Sequence, residues 1–157
     1  MSFGESIGVA GRIHLAVYEP GGRLVEERRV NNLVTLEGRR LLGRCLAGLV
    51  IPGTQLQLAI GTGTRATSLD DLTLEREVAA VPVDSPQVVV DGDGATRRAM
   101  LRVRAVFPAL VGETQLIGEA GVVLQVGGQP LLFNRAIFPV VSRAERLEVA
   151  LAWEILF

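Results

Sequence analysis

The chain has 157 residues, of which 48% are hydrophobic and 21% charged, and it carries a formal net charge of −1. That balance excludes a disordered chain and fits one globular domain, residues 1–157, long enough to bury a real core. The near-neutral charge argues against a general nucleic-acid binder, which needs a basic face to displace counterions.

The first element expected is a strand at Arg12–Tyr18, with Ile13, Leu15 and Val17 alternating on one face. Glu19-Pro20-Gly21-Gly22 then turns the chain into a hairpin partner spanning Arg23 to Val30. One segment has helical spacing, at about residues 35–48. Thr35 can cap it, and Leu41, Leu42, Cys45, Leu46 and Leu49 recur at three- and four-residue intervals. Gly48 is the expected stop, Pro52 ends any continuation, and glycines on one face would let the helix lie close to a sheet.

Leu56–Ile60 alternates like a strand, and a polar loop follows it. Leu69 to Val78 reads as a further short turn of helix. Val88–Val90 and Ala99–Phe107 flank the strong turn Asp91-Gly92-Asp93-Gly94, a second hairpin. A third joins Val122–Val126 to Leu131–Phe138 through Gly127-Gly128. In the last strand Leu147, Val149, Leu151, Trp153, Ile155 and Phe157 form one apolar row at period two. The fold class expected is mainly β: an antiparallel β-sandwich with one packed α-helix.

The search for chemistry yields little. Gly61-Thr62-Gly63-Thr64-Arg65-Ala66 fits a dinucleotide fingerprint, yet a polar loop with Asp70 and Asp71 follows where a long helix should begin. A phosphate loop of the G-x-x-x-x-G-K type fails because all 16 basic residues are arginine. The expected role of this run is a tight turn in which glycine supplies backbone angles. Asp70, Asp71, Glu75 and Glu77 form the densest acidic cluster but lack the spaced ligands and central glycine of a calcium loop. Asp91 and Asp93 likewise lack a completing glutamate.

His14 stands alone and reads as a strand-surface residue. Ser85 and Ser142 lie in no nucleophile elbow. The single cysteine, Cys45, can form neither an internal disulfide nor a cysteine metal cluster, and its leucine neighbours suggest a small buried hydrophobe. Glu119, between small residues in an apolar strand, invites an arginine partner, and Arg135 is the candidate for a structural ion pair. The clusters Arg28-Arg29, Arg39-Arg40 and Arg97, Arg98, Arg102, Arg104 have acids beside several members and read as solvated faces. No catalytic, cofactor-binding or metal residue is therefore assigned, and no cofactor.

Several blocks recur in order along the chain. They are Asn31-Asn32-Leu33-Val34-Thr35 with Gly38 and Leu42, then Ile60 to Glu77 as "I-G-T-G-T-x-x-x-x-x-D-x-x-L-x-x-E". Ile117-Gly118-Glu119-Ala120-Gly121-Val122, Leu132-Phe133-Asn134-Arg135-Ala136-Ile137-Phe138 and Trp153–Phe157 follow. Together they resemble small tail-associated structural proteins of tailed bacteriophages and related contractile injection particles, and the central run is similar to the collar-proximal region of tail fibres. The resemblance implies a non-enzymatic virion protein of a tail, baseplate or fibre-attachment site. It would be made in a host cytoplasm and partnered by other virion proteins and by its own copies in a trimer or hexamer ring. A capsid decoration protein is the alternative within that class, and a small-ligand or carbohydrate-binding β-sandwich the alternative outside it. Neither nucleic-acid binding nor membrane insertion is expected, because roughly 18 consecutive apolar residues are nowhere found. The N-terminus also lacks a signal-peptide pattern.

Overall fold

The computed structural model describes residues 8–49 and 55–157. Nine strands are seen among them: β1 (Ala10–Tyr18), β2 (Leu24–Val34), β3 (Leu56–Gly61), β4 (Glu77–Pro82), β5 (Asp84–Asp91), β6 (Arg98–Phe107), β7 (Gln115–Val126), β8 (Gln129–Arg143) and β9 (Glu148–Leu156). One α-helix, α1 (Leu36–Leu46), and a single 3₁₀ turn at Gly94–Thr96 complete them.

All nine strands join in one antiparallel sheet of order β4-β3-β7-β8-β2-β1-β9-β6-β5. The expected mainly-β class with one helix is found, but the pairing does not divide into the two separate sheets of a sandwich. The physical reason lies in β2. It runs along β1 as far as Asn32, then pairs with β8 through Leu33↔Arg135 and Val34↔Asn134. One strand thus belongs to both halves, and the sheet curls about it.

The curl encloses one core. Ile13, Leu15 and Val17 of β1, Val103, Ala105 and Phe107 of β6, and Val149, Leu151, Trp153 and Ile155 of β9 meet Leu58, Ile60, Val122 and Phe138 from the other half. Alternation in β9 was the clearest signal in the sequence, and Val149 to Ile155 are at most 1% exposed at every second position. The row stops there: Phe157 is 38% exposed. The Trp153 ring is fully buried and donates its indole N–H to Asn32 Oδ1 at 2.7 Å.

Two irregularities in β8 place the helix and the loops. Val122 pairs with Asn134 while Val123 pairs with Leu132, so Phe133 is an extra residue bulged out of the ladder. Its freed carbonyl accepts the Thr35 amide at 3.0 Å and the Thr35 hydroxyl at 3.1 Å. Thr35 in turn caps α1, its Oγ1 accepting the Gly38 amide at 2.9 Å. A Cβ on Gly38 would collide with the Phe133 carbonyl, so glycine is what lets the helix lie on the strand. Between Ile137 and Val141 a second bulge frees the Pro139 and Val140 carbonyls, which Arg28 caps at 2.9 and 3.1 Å.

Helix α1 differs from expectation on its apolar face. It stops at Leu46, with Ala47 as its cap and Gly48 (φ +69°) turning the chain away as expected; Pro52 lies outside the described residues, and of the helix only Gly38 and Leu41 are buried. Cys45 is exposed, as are Leu46 (92%) and Leu49 (69%). The helix touches the sheet at its first two turns and then runs past it, which leaves Cys45 no core to enter. The expected helical turn at Leu69–Val78 is also absent. A single turn at Leu69-Asp70, closed by the Asp71 amide on the Ser68 carbonyl at 3.1 Å, and then bends lead into β4, for a reason given by Glu119 below.

Candidate functional site

Among the described residues, the motif-rich run after β3 is where buried charged groups gather. Glu119 of β7 and Arg135 of β8 are both fully buried, and Arg135 Nε donates to Glu119 Oε2 at 2.9 Å. The ion pair expected from sequence is therefore present. It is the centre of something larger.

Glu119 accepts three backbone amides besides Arg135: Gly63 at 3.1 Å, Glu75 at 3.0 Å and Arg76 at 2.7 Å. These amides are why Leu69–Val78 is not helical. Those of Glu75 and Arg76 serve the carboxylate instead of carbonyls four residues earlier. Arg135 donates onward to Asp71 Oδ2 (3.1 Å), the Ala66 carbonyl (3.3 Å) and the Arg65 carbonyl (2.9 Å), with Glu75 Oε2 3.8 Å away. Asp71 also accepts from Arg65 at 2.8 Å and from the Ser68 amide at 2.9 Å. Glu75 accepts the Thr64 amide at 3.0 Å and the Arg65 amide at 2.7 Å.

Three carboxylates thus face two guanidiniums, and the excess negative charge is met by six backbone amides, those of Gly63, Thr64, Arg65, Ser68, Glu75 and Arg76. Buried charges are tolerated where each is paired and its remaining lone pairs are occupied. Burial alone would raise the Asp71 carboxyl, but the Ser68 amide and the Arg65 and Arg135 guanidiniums outweigh it and hold it below its ordinary value. The Arg65 amide, chiefly, lowers Glu75. Glu77 moves the other way, raised by burial and then by the Glu119 charge.

The glycines of the run have a role the sequence did not reveal. Neither Gly61 nor Gly63 has a positive φ, so the expected need for unusual backbone angles is not met. What they supply is space. A Cβ on Gly63 would lie 2.5 Å from Glu119 Oε1 and 2.6 Å from the Glu75 Cβ, and one on Gly61 would strike the same carboxylate. The fingerprint spacing records the approach of a loop to a carboxylate, not to a pyrophosphate.

Of the four acids in the cluster, Asp71 joins the network from inside and Glu75 from its solvent-facing rim, whereas Asp70 and Glu77 accept none of its donors. Their oxygens inside the network already accept protein donors, and among the described residues no group of His, Cys, Asp and Glu is placed to hold a metal ion. His14 is a half-exposed strand residue 2.5 Å from Glu27 Oε1. Ser142 donates its amide to Glu26 at 3.1 Å, and Ser85 lies exposed in β5. Half of the clustered arginines meet a carboxylate, Arg28 at Glu26 (3.5 Å), Arg29 at Glu27 (2.8 Å), Arg40 at Glu37 (2.7 Å) and Arg102 at Glu154 (3.3 Å), and outside the clusters Arg12 meets Glu154 and Asp91.

Two buried polar residues had no reading from sequence. Asn134 accepts the Val122 amide at 3.0 Å, a bond the bulge at Phe133 denies to the backbone ladder. Arg143 donates to the Pro108 carbonyl at 3.0 and 2.9 Å. Asn134 had a signal available, being polar beside Arg135 in an otherwise apolar strand.

No family model, no curated protein and no solved structure matches this chain.

Proposed function

We propose that this chain is a non-enzymatic structural protein of a tailed bacteriophage or related contractile injection particle, assembling through protein contacts at a tail, baseplate or fibre-attachment site. The observation that carries the reading is the use made of the motif run. Its charged groups are spent on each other and on backbone amides, which fixes the loop between β3 and β4 to β7 and β8. A site for chemistry or for a ligand needs polar groups aimed outward into a pocket; these are aimed inward. Three of the ordered blocks that resemble tail proteins, Ile60–Glu77, Ile117–Val122 and Leu132–Phe138, supply these residues, so in this reading their spacing preserves an architecture.

A carbohydrate-binding role has less support, because such sites stack sugars on exposed aromatics and Trp153 is fully buried. The test is to label the protein and image the purified native particle by negative-stain microscopy. Label repeating at one position on the tail or baseplate is the expected result. Particles that lack the protein altogether would sink the proposal.

A further inference from the structure

The sheet has two edges, each interrupted by a proline, Pro82 in β4 and Pro86 in β5, and they differ in the stretch left open beside it. At one end, Val83 donates its amide to the Leu56 carbonyl at 3.1 Å. In an antiparallel ladder a residue's N–H and C=O point to the same side, and the side alternates along the strand. Leu56, Leu58 and Ile60 therefore face β4, their partners Val81 and Ala79 face β3, and Val78, Ala80 and Pro82 point out of the sheet. Pro82 has no N–H to offer, and an edge proline is a common way to blunt a strand.

At the other end, Phe157 donates its amide to the Ala99 carbonyl at 3.0 Å. Ala99 and Leu101 thus face β9. Their partners across the ladder, Val90 and Val88, direct their N–H and C=O groups away from β6. Among the described residues no strand pairs with that side. The Val88 and Val90 side chains are 77% and 63% exposed, and no charged residue lies between Asp84 and Asp91. An open, apolar, uncharged edge is a template for another strand.

We propose that β5 pairs with β5 of a second copy of this chain, antiparallel, about a two-fold axis at Val89. That register sets Val88 opposite Val90 of the second copy, so all four outward N–H groups meet outward carbonyls and the exposed valines pack across the seam. Neighbouring registers do worse. A centre at Val88 puts Pro86, which lacks the donor, opposite Val90, and a centre at Val90 runs Val88 off the strand against Gly92. Charge agrees as well. Asp91 comes opposite the uncharged Gln87 of the second copy, so no like charges meet across the seam. Such a contact makes a dimer, or joins two trimers into a hexamer.

The inference rests on the assembly reading and names one contact within it. The test uses light scattering on the full chain and on three variants. Val88→Lys with Val90→Lys places like charges opposite each other and should halve the assembled mass. Val88→Lys with Val90→Glu pairs opposite charges in this register and should restore it. In a Cys45→Ser background, Val89→Cys sits on the axis at a non-hydrogen-bonded pair, with Cα atoms about 4.5 Å apart. Oxidised glutathione should then link two copies covalently. An assembled mass unchanged by the double lysine variant would overturn the β5 contact while leaving assembly through another surface intact. A wild-type monomer with no Val89→Cys cross-link would also overturn it, and the labelled particle would then decide the wider reading by itself.

Discussion

Trp153 of β9 and Asn32 of β2 are joined across the intervening strand β1, the indole N–H donating to Asn32 Oδ1 at 2.7 Å. The contact is possible because Gly11 stands opposite Asn32 in β1, where any Cβ would overlap the Asn32 carboxamide. A large ring, a polar acceptor and a missing side chain thus make one unit, inside the half of the sheet that the apolar row of β9 organises.

Trp153→Ala should cost on the order of 3–5 kcal/mol, because the ring is fully buried and the cavity cannot collapse without moving three strands. Trp153→Phe keeps most of the bulk but orphans Asn32 Oδ1, at roughly 1–3 kcal/mol. Urea unfolding midpoints check both, and an unchanged alanine variant would remove β9 from the core.

Arg135→Met should be among the most damaging substitutions, because it leaves Glu119 buried without its guanidinium and Asp71 with Arg65 alone. Breaking one side of a buried pair typically costs about 3–5 kcal/mol. A double-mutant cycle with Glu119→Gln measures the coupling. Additive effects would show that the two residues stabilise the loop independently.

Stability should fall in acid through Asp71 and Glu75. Both carboxyls sit below their ordinary values, so their contribution is complete above the unfolded values, about 4, and is lost as pH drops through the lower folded ones. Glu77 is raised and has the opposite sign. It favours the fold when protonated and opposes it at neutral pH. Glu77→Gln should therefore raise the unfolding midpoint at pH 7 and have little effect at pH 3. A variant less stable than wild type at pH 7 would contradict that sign.

Two glycines in one helix should respond oppositely to alanine. Gly43 has open space where a Cβ would go, and Gly43→Ala should stabilise by about 0.5–1 kcal/mol through helix propensity. Gly38→Ala forces the helix off the Phe133 carbonyl and should destabilise. Thermal melting of the pair distinguishes contact from propensity, and equal responses would remove the close approach from the account.

Periodicity revealed the strands because a half-buried strand writes its burial at every second residue, as Val149, Leu151, Trp153 and Ile155 do. Glu119 and Arg135 were also legible, since a charge among small apolar residues demands a partner. Asp71 was not: it looks like any loop acid beside Asp70, and only tertiary contact makes one buried and the other exposed. Cys45 failed for the converse reason. Helical spacing shows that leucines share a face, not that a sheet extends beneath it. The bulges at Phe133 and near Pro139 carry no period at all, and they decide where the helix is capped and where Arg28 goes.

The passage of β2 from one half of the sheet to the other has a mechanical meaning. Between the halves the backbone ladder amounts to the pairs at Leu33 and Val34, extended by Thr35 gripping the carbonyls of Leu132 and Phe133 and, farther along β2, by side-chain bonds from Arg28 to Pro139 and Val140 and from the Ser142 amide to Glu26. A pull that separates the halves peels this seam one rung after another, whereas a pull along β2 loads the whole β1–β2 ladder in shear. Backbone bonding between the halves is thus thinnest at this crossing, and it is the shared core, with side chains from both halves, that resists their parting.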